Sequence, residues 1–171
     1  MKQTSTVKRW LRVSVVLNAM LALSLAYVMY LGDFNGKLLA NQSQALVELE
    51  GLIGHQQKNG WNEPQLVIMK LDEIRLAIFP TDANGTLTGQ LRSRSDRNDL
   101  GSLYSALYRY PSNELYKLAT VTEEDKLQLD KLRDHLSGAG FQLNASIGGD
   151  WSSYITGVRQ LTKRIHAEEW N

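Results

Sequence analysis

Apolar residues are distributed along this chain in two ways. From Val13 to Leu31, nineteen successive residues carry no charge. Beyond Gly36 the apolar positions instead recur three and four residues apart, the period of helices that bury one face. The first pattern predicts a helix with no polar side. At about 1.5 Å per residue it spans roughly 28 Å, close to the hydrocarbon thickness of a bilayer, so it is read as a single transmembrane segment. The second pattern predicts a water-soluble helical domain.

Within that domain, Leu38, Leu39, Ala45, Leu46, Leu49 and Ile53, broadened by Leu52, place one helix over Lys37 to Gln57. Gly32 and Gly36 are expected to loosen its join to the apolar run, and Asn59-Gly60 to stop it. A second helix is expected from Pro64 to Phe79 on Leu66, Val67, Met69, Leu71, Ile74 and Ile78, ending at Pro80. Residues 81–97, with Asn84-Gly85 and Gly89, read as irregular. A third helix follows from Leu100, Leu103, Tyr104, Leu107 and Tyr108, with Asn98 or Asp99 as its cap and Pro111 as its end. Ser112 then offers a cap for a brief helical turn carrying Leu115, Leu118 and Ala119.

Thr122 ahead of Glu123, Glu124 and Asp125 marks the start of a fourth helix, because exposed amides and the helix dipole favour acidic groups there. Its stripe is Leu129, Leu132 and Leu136, and Gly138 and Gly140 stop it. Asp150 is placed to cap a last helix with Trp151, Tyr154, Ile155, Val158, Leu161 and Ile165 on one face. No repeat or βαβ pattern interrupts this order. The fold class is therefore all-α: one N-terminal transmembrane helix, then an antiparallel helical bundle of four to five helices.

Charge assigns a direction to the apolar run. Lys2, Lys8, Arg9 and Arg12 precede it, whereas Asp33 opens its far side. The positive-inside rule then makes 1–12 a short basic cytoplasmic N-terminus, 13–31 a signal-anchor, and 32–171 an extracytoplasmic domain. Such an N-terminus is too short for an output domain, so any signal must pass through a partner helix. The anchor is carried by Val13, Leu17, Leu21, Leu25 and Leu31, with Trp10, Tyr27 and Tyr30 near the water–lipid boundaries. Ser24-Leu25-Ala26 supplies the small-x-small pattern of a cleavable signal peptide, a competing reading that the continuing apolar residues 27–31 disfavour. Ala19, Ala22 and Ala26 lie near one face, where another helix, a second copy included, can approach.

Composition narrows the functions. The formal net charge is +1 and part of the basic excess belongs to the anchor flank, so a nucleic-acid partner is not expected. There is no cysteine, which removes disulfides, lipoprotein anchors and thiolate metal sites. His55, His135 and His166 are scattered, with no His-Glu-x-x-His pair, and no phosphate-loop, dinucleotide or nucleophile-elbow pattern is present. No metal, cofactor or catalytic residue is assigned. Sequons at Asn41, Asn84 and Asn144 are read as coincidence.

Two clusters remain as candidate binding sites. Arg92, Arg94 and Arg97 form a guanidinium group suited to phosphate, partly offset by Asp96 and Asp99. Tyr104, Tyr108, Trp151 and Tyr154 offer rings with polar tips for a groove, although their helical spacing also fits core packing. The expected function is a membrane-anchored, non-enzymatic domain that binds other envelope proteins or serves as an accessory subunit. The alternative is an extracytoplasmic module that senses a ligand or binds an envelope polymer.

Overall fold

The computed structural model describes residues 3–83, 93–114, 116–142 and 151–167. These residues form five α-helices and no strand: α1 (Gln3–Lys58), α2 (Gln65–Ala83), α3 (Arg94–Leu107), α4 (Glu123–Gly138) and α5 (Trp151–Ala167). By contacts the chain divides into residues 1–37 and residues 38–171.

In the first unit, Val13–Tyr30 is long and apolar enough to cross a membrane, and none of it is buried in protein. Its polar side chains turn back on their own helix. Asn18 Nδ2 donates to Ser14 O at 2.8 Å and Ser24 Oγ to Met20 O at 2.7 Å, so each side chain places a donor on its own helix. Gly32 and Gly36, expected to loosen the chain, lie within α1. A helical glycine costs about 1 kcal/mol relative to alanine but leaves every backbone bond in place, so it does not by itself end a helix.

The second unit has one core. Leu46, Leu49 and Ile53 of α1 meet Ile68, Leu71 and Ile74 of α2, Leu100, Leu103 and Leu107 of α3, Leu129, Leu132 and Leu136 of α4, and Tyr154, Val158 and Leu161 of α5. Paired contacts give the helix directions. Gln42 Nε2 donates to Ala77 O, and Lys70 pairs with Glu48, so α2 runs opposite to α1. Arg133 bonds Gln57 and Glu50, while Ser137 also reaches Glu50, so α4 runs opposite to α1 as well. Trp151 bonds Asp96, Arg159 bonds Asp99 and His166 bonds Arg109, which makes the neighbours α3 and α5 parallel. This pairing departs from an expectation of antiparallel neighbours throughout.

Helix ends follow local chemistry. Thr122 Oγ1 accepts from Asp125 N while Asp125 Oδ2 accepts from Thr122 N, a reciprocal capping box. At the other end of α4, Phe141 N donates to Leu136 O and Gly140 N to Ser137 O, with Gly140 at φ +93°. This is a Schellman close, and it seats Phe141 in the core. The same pair of bonds, Trp61 N to Gln56 O and Gly60 N to Gln57 O, ends α1.

Three boundaries differ from expectation. The α2 helix passes Pro80 and is described as far as Ala83; proline removes one N–H and bends a helix without obliging it to stop. The α3 helix begins earlier than Asn98, because Ser93 Oγ accepts from Asp96 N at 3.1 Å and serves as the cap. The described residues after Pro111 hold no helix before α4; Glu114 and Lys117 instead pair across a tight turn. Asp150, residues 84–92 and Leu115 lie outside the described residues.

Candidate functional site

One cleft on the surface is built on a buried cation. Leu71, Arg75 and Ile78 share one face of α2 at helical spacing, so Arg75 occupies an otherwise apolar stripe. It is 5% exposed. Its guanidinium donates to Leu107 O, to Tyr110 O at 2.8 Å and to Pro111 O at 3.2 Å, and it pairs with Asp72 Oδ1 at 2.7 Å. Those carbonyls lie at the end of α3 and just beyond it, where acceptors lack helical partners and the dipole favours positive charge. The Tyr108 ring covers the guanidinium at 5.5 Å. Several charge-assisted bonds thus offset the desolvation of one guanidinium.

The partner carboxylate extends the network. Asp72 Oδ2 accepts from Asn113 N, Asn113 Oδ1 accepts from Ala119 N, and Gln65 Nε2 donates to Ala119 O. The irregular segment after α3 is therefore tied to α2 by side chains, where short-range helical bonding would not hold it.

Between these elements lies an open cleft of about 530 Å3, walled by Asp72, Arg75, Leu76, Tyr104, Tyr108 and Asn113. The volume is in the range of small-ligand and side-chain pockets. Tyr104 and Tyr108 meet edge to face at 4.9 Å, with Tyr104 Oη donating to Tyr108 Oη at 3.1 Å. That bond raises the Tyr104 hydroxyl above its ordinary pKa. Leu76 is 71% and Tyr108 58% exposed. Met69 lies seven residues before Leu76 on the same face of α2 and is exposed too, as are Tyr116 and Leu118 on the tethered segment.

The four aromatic residues singled out in the sequence divide between two places. Tyr104 and Tyr108 line the cleft. Tyr154 is fully buried, 5.5 Å from the Trp151 ring and 6.2 Å from Phe141. Its hydroxyl donates to Gln42 Oε1 at 3.3 Å. Trp151 is half-buried, and its indole N–H donates to Asp96 Oδ2 at 2.9 Å. Burial raises the Asp96 carboxyl, but the bonds from Trp151 and Ser93 outweigh it and hold the group below its usual value.

The arginine group is divided as well. Arg94 and Arg97 sit in the first turns of α3, not in an irregular loop, and Arg92 lies outside the described residues. Arg97 borders a second, shallower depression between α3 and the last turn of α5, with Asn98, Gly101, Ser102, Ser105 and His166. No group of three or more metal-ligating side chains is present among the described residues.

Arg75 and Asp72 carry the cleft, yet neither belonged to a recognisable motif. The one signal was an arginine in register with Leu71 and Ile78, a position that a solvent-facing charge does not occupy.

Comparison of the chain with protein-family models, with curated proteins and with solved structures gives no match.

Proposed function

We propose that this chain is a single-pass membrane protein whose helical bundle lies outside the cytoplasm and binds another envelope protein through the Leu76–Tyr108 cleft. The observation that carries the anchor is the eighteen-residue apolar stretch Val13–Tyr30, fully exposed and preceded by basic residues. Leaving such a surface in water is costly at about 25 cal/mol per Å2. Lipid removes that cost, and the basic flank orients the helix.

The interaction reading rests on the cleft. Its rim joins aliphatic Leu76 to two tyrosines, the combination that anchors protein partners: large apolar area with few rotamers and a polar tip. Arg75 and Asp72 hold the rim in place, so little ordering cost remains for binding. A partner helix presenting apolar side chains at i and i+4 fits such a cleft.

Site-specific photocrosslinking in intact cells tests the reading. A photoreactive residue at position 108 or 76 is expected to give one discrete adduct with an envelope protein. The same residue at Leu127, exposed on α4, gives none. Equal adducts at all three positions, or none at 76 and 108, count against it.

A further inference from the structure

We infer that the depression between α3 and the C-terminal turn of α5 is a site for a phosphate group. This does not depend on the partner-binding reading of the tyrosine cleft, because it uses other residues and another chemistry.

The depression measures about 490 Å3 and is bordered by Arg97, Asn98, Gly101, Ser102, Ser105 and His166. Among the described residues that border it, every side chain can donate a hydrogen bond, apart from Gly101, and none is a carboxylate. The two nearest acidic residues of α3 are engaged elsewhere: Asp96 with Trp151, and Asp99 with Arg159. Arg97 has no carboxylate partner among the described residues and is only partly exposed. A half-buried guanidinium in that condition is the group an oxyanion would satisfy.

A second cation adjoins the site. Arg109 Nη2 lies 3.1 Å from His166 Nδ1. That contact holds the imidazole at the rim of the depression. Ser102 and Ser105 stand three residues apart on α3, on the side where Gly101 leaves the floor without a side chain. The negative end of the α5 dipole amounts to about half a charge and opposes an anion here. The full charge of Arg97 exceeds it. One donor fork, an amide and two hydroxyls around a shallow floor suit the tetrahedral oxygens of phosphate better than a planar, single-edged group.

The phosphate can be free or carried by a lipid headgroup, and the test separates these sources. Full-length 15N-labelled chain is placed in dodecyl maltoside micelles, which carry no phosphate, and titrated with inorganic pyrophosphate, following amide shifts. A parallel sample in the same micelles is titrated with phosphatidylglycerol, with no added phosphate. Saturable shifts confined to residues 97–105 and 166 are expected in one arm or both; pyrophosphate alone indicates a free ligand, and phosphatidylglycerol alone indicates a headgroup. Arg97→Gln is expected to weaken the response by about tenfold, the loss of one charge-assisted bond. Gly101→Leu, which keeps every donor and fills the floor, is expected to abolish it with the helix intact by circular dichroism. No saturable shift in either arm, or an undiminished response in Arg97→Gln, overturns the site.

Discussion

The guanidinium of Arg133 lies against the α-carbon of Gly54: a Cβ placed on that glycine falls 2.8 Å from Arg133 Nε. This approach lets an arginine of α4 reach Glu50, which is 6% exposed, at 3.0 Å, and Gln57 at 2.7 Å. Ser137 Oγ donates to the same Glu50 oxygen. The absence of a side chain at position 54 therefore pairs a charge that burial would otherwise leave costly.

Gly54→Ala should accordingly destabilise the domain, although alanine is the better helix former. The helical gain is about 1 kcal/mol. Displacing Arg133 leaves Glu50 short of its main partner, a loss of about 2–3 kcal/mol after allowing for the partial exposure of Arg133. The net expectation is about 1–2 kcal/mol of destabilisation by denaturant unfolding. In an Arg133→Met, Glu50→Gln background the sign should reverse, because only the helical gain remains. A stabilising Gly54→Ala in the native background contradicts this account.

Gly157 obeys the same logic against an apolar neighbour. A Cβ there meets the Phe141 ring at 2.9 Å and Ala139 O at 3.2 Å. Phe141 is fixed in the core by the Schellman close of α4, so it has little room to retreat. Gly157→Ala should cost about 1–2 kcal/mol, overpacking outweighing helix propensity. Phe141→Leu should relieve much of that cost in the double variant.

Replacing Arg75 should be the most damaging polar change. Arg75→Met removes the donors to Leu107, Tyr110 and Pro111 and strands Asp72, at about 3–5 kcal/mol. Arg75→Lys should recover little, since one ammonium cannot span the same acceptors. The released 111–119 segment should also lose amide protection in hydrogen exchange ahead of the helices. Unchanged protection there contradicts the tethering role.

Much of the helical domain was legible because its signals are local. Thr122 with Asp125, Gly140 with Ser137, and the apolar stripes of the helices all act within a few residues, so spacing alone identifies them. The cleft was not legible in that way. Arg75 works on carbonyls thirty-two and more residues away, and nothing in the local sequence marks those acceptors. Tyr154 shows the converse difficulty, since a tyrosine on an apolar stripe reads alike as groove or core until Gln42 is found at its hydroxyl. Pro80 misled as the end of α2 because a single breaker is a weak signal, outvoted here by the turns around it, and Asn98 or Asp99 stood for the cap of α3 where Ser93 serves.

The pH dependence follows from two lowered carboxyls and one raised amine. Burial raises Asp96, yet hydrogen bonds from Trp151 and Ser93 leave it below 3.8, while the Lys70 bond leads those that lower Glu48 from 4.5. A depressed carboxyl stabilises the fold above its unfolded value and loses that contribution as pH falls through its folded value. Burial lowers Lys70, but its bonds to Glu48 and Glu73 prevail and raise it above 10.5. Its contribution is present below 10.5 and fades as pH rises through the raised value. Thermal stability should thus be flat from about pH 5 to 10 with respect to these groups. Below that window it should fall, and Asp96→Asn should lower the plateau and flatten the acid limb. An acid limb identical in Asp96→Asn and the native chain contradicts this assignment.

The central claim is that Val13–Tyr30 spans a bilayer with the helical domain outside. A chain without cysteine permits a direct measurement: single variants Thr4→Cys and Ser112→Cys, treated in intact cells with a membrane-impermeant maleimide. The account predicts labelling at position 112 in the cell-associated full-length chain, and labelling at position 4 only after the membrane is opened. Protection of position 112 until the cells are lysed would contradict it.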